Sequence, residues 1–125
     1  MNDKKSNNNT IRYLKVKHGM VSEEYTDDFI SMMKNEYDYF FDTAEYLFDR
    51  HPDIRVFVKE ESLFSERPSV YYYRDSELLM TFGGTVFFAK LGKTKVRSLT
   101  KKEMQFLLKN LKRNDHGIYR IDAES

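Results

Sequence analysis

Residues Ser22–Arg50, SEEYTDDFISMMKNEYDYFFDTAEYLFDR, decide how this chain of 125 residues is read. Set on a helix at about 100° per residue, the stretch sorts into stripes. Phe29, Ile30, Met33, Tyr37, Phe40, Phe41, Ala44, Leu47 and Phe48 share one arc of roughly 120°. Asp27, Asp38, Asp42, Glu45 and Asp49 share another, and Tyr25, Met32, Tyr39 and Tyr46 lie between the two. The pattern predicts a single core helix over about 22–50 with one acidic wall. Ser22 stands where an N-cap hydroxyl accepts from an unpaired amide. His51-Pro52 ends the helix, because the residue before proline is pushed out of the α region.

An apolar arc of that width needs a sheet to cover, and the flanking sequence supplies one. Thr10–Lys17 and Ile54–Lys59 read as strands. Asp75-Ser76 and Gly83-Gly84 each have the length of a two-residue hairpin loop. They predict a three-stranded meander of Ser69–Arg74, Glu77–Phe82 and Thr85–Leu91, with Arg74, Glu77 and Lys90 in one cross-strand row. Both faces of that meander are apolar in the middle, so both require a cover. Thr100 and Glu103 form a T-x-x-E capping box at the head of a basic helix over about 100–113, with Met104, Leu107, Leu108 and Leu111 as its buried stripe. Ile118–Ile121 returns as a short edge strand. The expected fold is α+β: an antiparallel sheet (the 69–91 meander plus flanking strands) packed by the long helix and the shorter basic one. The expected organisation is a disordered tail at 1–9, a single domain over 10–121 and a tail at 122–125.

Composition narrows the class. Hydrophobic residues at 40% and charged residues at 33% belong to a globular chain. There is no cysteine, which excludes disulfides and thiolate metal sites. No apolar run is long enough to cross a membrane and MNDKKSNNNT has no apolar signal region, so a cytoplasmic protein without membrane contact is expected. The formal net charge of +1 conceals an asymmetry. Glu23–Arg50 carries nine acidic residues against Lys34 and Arg50, while Lys90–Arg113 carries nine basic residues against Glu103.

Chemical motifs are sparse. Gly92-Lys93-Thr94 lacks the glycine five positions earlier that a phosphate-binding loop needs; Phe87 stands there. His18, His51 and His116 each sit beside a turn; Asp49, His51 and Asp53 could hold a metal if the backbone folded them together, but such spacing is common by chance and no second histidine is near in sequence. Glu60, Glu61 and Glu66 have no catalytic spacing, and no nucleophile–histidine pattern occurs. The chain is therefore read as non-enzymatic, with no cofactor and no metal.

Two surfaces remain. Asp38, Tyr39, Asp42, Glu45, Tyr46 and Asp49 form an acidic, tyrosine-edged helix face suited to binding another protein. Its carboxylates could imitate a phosphate backbone, as expected of a small regulatory or inhibitory protein, such as a phage or mobile-element inhibitor of a nucleic-acid-handling system. The alternative is a nucleic-acid-binding regulator that meets DNA or RNA through Lys102, Phe106, Lys109 and Arg113 on the C-terminal helix. The two-sided apolar meander adds the expectation of a homodimer, formed through the open sheet face or an edge strand.

Overall fold

His18 and Gly19 set the course of the first third of the chain. Both have positive φ, 53° and 74°, the backbone of a two-residue hairpin turn whose twist matches its strands. The computed structural model describes residues 10–37, 41–59 and 66–125. In it β1 (Ile11–Lys17) and β2 (Met20–Thr26) pair antiparallel along their full length. The stretch expected to begin a helix at Ser22 is thus already strand. The Thr26 hydroxyl accepts from the Asp28 amide at 3.2 Å, and the Asp28 carboxylate accepts from the Ser31 amide at 3.1 Å. These contacts cap a helix of nine residues, α1 (Phe29–Tyr37). Strand β3 (Phe41–Ala44) follows, and a loop then drops Leu47 and Phe48 into the core.

The long helix over 22–50 is therefore not formed. Its apolar positions did recur at helical spacing, but five of the nine are aromatics that suit a strand as well. Only Phe29, Met33 and Tyr37 keep a buried helical face, and Ile30, assigned to the same arc, is exposed.

The meander is corrected too. Strand β4 (Ile54–Lys59) precedes β5 (Pro68–Arg74) and β6 (Glu77–Gly83). The β5–β6 hairpin forms as expected, with Asp75 and Ser76 both at positive φ and Arg74 opposite Glu77. The turn after β6 does not close a second hairpin. It carries the chain across to another sheet, where β7 (Val86–Leu91) lies between β1 and β4. Phe87 and Phe88 point to opposite faces of β7 and both are buried, so this strand sits in the middle of a sheet covered on both sides. Lys90 consequently leaves the Arg74–Glu77 row and approaches Glu103 at 3.5 Å.

The result is a mixed α+β fold of two mostly antiparallel sheets. The larger has the order β2-β1-β7-β4-β3, with β8 (Val96–Arg97) also on β7. The smaller has the order β6-β5-β10-β9, built with β9 (Lys112–Arg113) and β10 (Tyr119–Asp122). Strand β10 runs parallel to β5 in the interior of that sheet rather than along its edge. Leu14, Val16, Val56, Val86 and Phe88 from the larger sheet meet Val70, Tyr72, Phe82 and Ile121 from the smaller one. On the far side of the larger sheet, Phe29, Met33 and Tyr37 of α1 cover Tyr13, Phe57 and Phe87 with edge-on ring contacts.

Helix α2 (Lys101–Asn110) has the capping box expected of it: the Thr100 hydroxyl accepts from the Glu103 amide, and the Glu103 carboxylate from the Thr100 amide. Met104, Leu107 and Leu111 join the core between the sheets, while Leu108 is exposed. Leu111 is already extended, so the helix stops short of Arg113. Near the C-terminus Ala123 is fully buried and donates its amide to Tyr73 O at 2.8 Å. The expected tail at 1–9 lies outside the described residues, and among those described no helix is long and apolar enough to cross a membrane.

Candidate functional site

The acidic wall does not survive folding as one surface. Asp38 and Tyr39 lie outside the described residues. Asp42 is exposed on the edge strand β3, opposite Val58. Glu45 approaches the buried Arg55 at 3.7 Å, and the Arg55 guanidinium also stands 5.0 Å from the ring centre of Tyr46. Tyr46 is 71% exposed at a positive φ of 57°. Asp49 forms an ion pair with Arg74 at 3.0 Å, which holds the guanidinium protonated above its ordinary range. These residues come from a strand and a loop, and two of the carboxylates already have cationic partners.

The basic helix face is likewise divided. Lys102 and Lys109 are exposed on α2. Phe106 between them is half-buried, with its ring 5.4 Å from Phe48 and 4.3 Å from His51. Arg113 belongs to β9, where its Nε donates to Gly19 O at 3.0 Å. It is not on the helix at all. Four carboxylates of the acidic region, Glu23, Glu36, Glu45 and Asp49, pair with Arg12, Lys17, Arg55 and Arg74, which lie outside the basic region.

His51 and its flanking aspartates do not converge. His51 lies against Phe106 and Asp49 is taken by Arg74. Among the described residues, no group of three histidine or carboxylate side chains is placed to hold a metal ion. Glu60 and Glu61 lie outside the described residues.

What folding does create is an open side on the smaller sheet. Among the described residues strand β6 is its edge, and Leu78, Leu79 and Met80 are 46%, 50% and 41% exposed. A register shift between Tyr72 and Tyr73 leaves Leu79 without a partner on β5. That bulge turns three consecutive apolar side chains toward solvent. Natural edges are usually blunted by lysine or proline; β6 has neither, and its one charge, Glu77, sits at the hairpin end.

The outer face of the same sheet continues this surface. Val70 and Tyr72 point into the core, so Tyr71 and Tyr73 point out. Arg120 stands opposite Tyr71, and Lys112 opposite Arg120. The Arg120 guanidinium lies 3.8 Å from the ring centre of Tyr73 and pairs with Asp122 at 3.0 Å. Reading the sequence placed Leu78, Leu79 and Met80 in the middle strand of a meander with an open apolar face, and so missed β6 as an edge. The absence of lysine and proline from Glu77–Gly83 was the available signal, but it becomes one only once β6 is known to be an edge.

No protein-family model, no curated protein and no solved structure matches this chain.

Proposed function

We propose that the protein is a small, non-enzymatic regulatory module that acts by binding another protein, and that β6 is the contact strand. One observation carries this reading: Leu78, Leu79 and Met80 are exposed side by side on an unblunted sheet edge. An extended segment of a partner can pair with such an edge through backbone hydrogen bonds while its side chains meet the apolar ones. The reading keeps the protein-binding class that the acidic face suggested and relocates the surface. Asp42, Glu45 and Tyr46, on and after β3 of the other sheet, are then no part of the contact.

A photo-crosslinking residue placed at Leu79, at Asp42 or at Lys102 separates the surfaces. The β6 reading expects an adduct from Leu79 and none from the other two positions. Adducts from Asp42 or Lys102 without one from Leu79 would contradict it. An adduct of two copies of the 15.0 kDa chain would make the partner a second copy.

A second reading, nucleic-acid binding, is favoured by the row of Tyr71, Arg120 and Lys112 on the open sheet face, since aromatic and cationic side chains on a sheet can stack on unpaired bases. It predicts binding to single-stranded RNA or DNA that falls steeply with salt. A mobility shift that is absent at low salt removes it.

A further inference from the structure

A cavity of about 490 Å³ opens where the ends of the two sheets meet, a volume in the range of small-molecule sites. Its polar lining comes from distant parts of the chain: Lys17, Glu36, Lys59, Glu66, Arg67 and Arg113. Glu36 is satisfied within the lining, accepting from Lys17 Nζ at 3.0 Å and from the Thr85 hydroxyl at 2.9 Å. With that pair set aside, Lys59, Arg67 and Arg113 stand against Glu66 among the described lining residues, three cations to one carboxylate. His18 and His116 also line the cavity.

Arg113 is braced for a ligand. Its Nε is fixed on Gly19 O, which leaves its terminal nitrogens for other partners. Beside it, Gly19 and Gly117 pack backbone to backbone, a Cβ on Gly19 meeting Gly117 O at 3.3 Å. A Cβ on Gly19 would stand 3.4 Å from Arg113 Nη2, and one on Gly117 would stand 3.5 Å from the same atom.

We propose that this cavity binds a phosphate-bearing small molecule, with Lys59, Arg67 and Arg113 as its cationic contacts. A phosphate monoester carries about −1.5 to −2 charges at neutral pH, which complements the three cations of the described lining residues. The proposal is independent of the protein-binding reading, since no residue of Leu78–Met80 lines the cavity.

The test is an NMR titration of the full chain with pyrophosphate at constant ionic strength. The amides of Gly19, Gly84 and Gly117 should shift and saturate. Lys59→Met and Arg67→Met should each weaken binding about tenfold, the loss expected for one charge-assisted contact. Lys102→Met, on α2 outside the cavity, should leave binding unchanged. Arg113 also braces Gly19, so the two other cations serve as the deciding variants, and their spectra away from the cavity report that the fold is intact. Shifts that never saturate, shifts that spread equally to the Lys102 and Lys109 amides, or binding indifferent to Lys59→Met and Arg67→Met would overturn the proposal.

Discussion

Tyr37 ends α1 by setting its hydroxyl beside two carbonyls of the larger sheet, Phe57 O at 3.1 Å and Thr85 O at 2.6 Å. Burial, and then the neighbouring Glu36 charge, push its ionisation well above the ordinary tyrosine range. Tyr37→Phe keeps the ring and removes the donor from two buried acceptors, so it should cost about 1–2 kcal/mol, read from urea denaturation. Glu36 shows the opposite balance. Burial alone would raise its pKa, but the hydrogen bonds from Lys17 and Thr85 outweigh it and hold the carboxyl below the ordinary range. A folded pKa below the unfolded one stabilises the fold above the unfolded value and loses that effect as pH falls through the folded one. Glu36→Gln should therefore melt below the wild type at neutral pH, with the gap closing as the solution is acidified below the usual glutamate range. A constant gap at every pH would show that the charge contributes nothing.

Turns and caps repeat this dependence on a few atoms. Thr100→Ala removes the hydroxyl that accepts from the Glu103 amide and should lower stability by about 1 kcal/mol, measured as a shift in denaturation midpoint. Gly19→Ala places a side chain at φ +74°, where it would meet Gly117 O at 3.3 Å; it should cost about 1 kcal/mol or more. Signals of this local kind were legible in the sequence. The Thr100–Glu103 box, the Asp75-Ser76 turn and the strands at Ile11, Ile54, Pro68, Glu77 and Val86 all stand where the residues put them. The stretch from Ser22 to Arg50 was not legible, because its aromatics satisfy both periodicities. What decides is the pairing of β2 with β1 and of β3 with β4, a tertiary choice that no window of local sequence contains.

Across the whole molecule, the turn after β6 governs the arrangement. A meander there would have put Val70, Tyr72, Val86 and Phe88 on one face of one sheet. The crossing instead sets Val70 and Tyr72 against Val86 and Phe88 from opposite sides of one core. Neither the layering nor the pairing was legible: Tyr72 faces Met80 and Val70 faces Phe82 across the bulged β5–β6 register, and turn length alone does not say whether the next strand pairs or crosses. The same crossing leaves β6 as an open edge among the described residues. Leu79→Lys should then be nearly silent in stability, within about 0.5 kcal/mol by thermal or urea denaturation, because the residue is already half exposed. In the same variant, capture of the partner from a crosslinker at Met80 should be lost.

Amide hydrogen exchange on the full chain, free and in complex with the protein crosslinked from Leu79, tests the account at its centre. If a partner strand adds to this edge, amides within Glu77–Gly83 that face away from β5 exchange freely in the unbound chain and slow in the complex. Exchange that is unchanged along β6 while Asp42–Asp49 or Lys101–Asn110 becomes protected would contradict it.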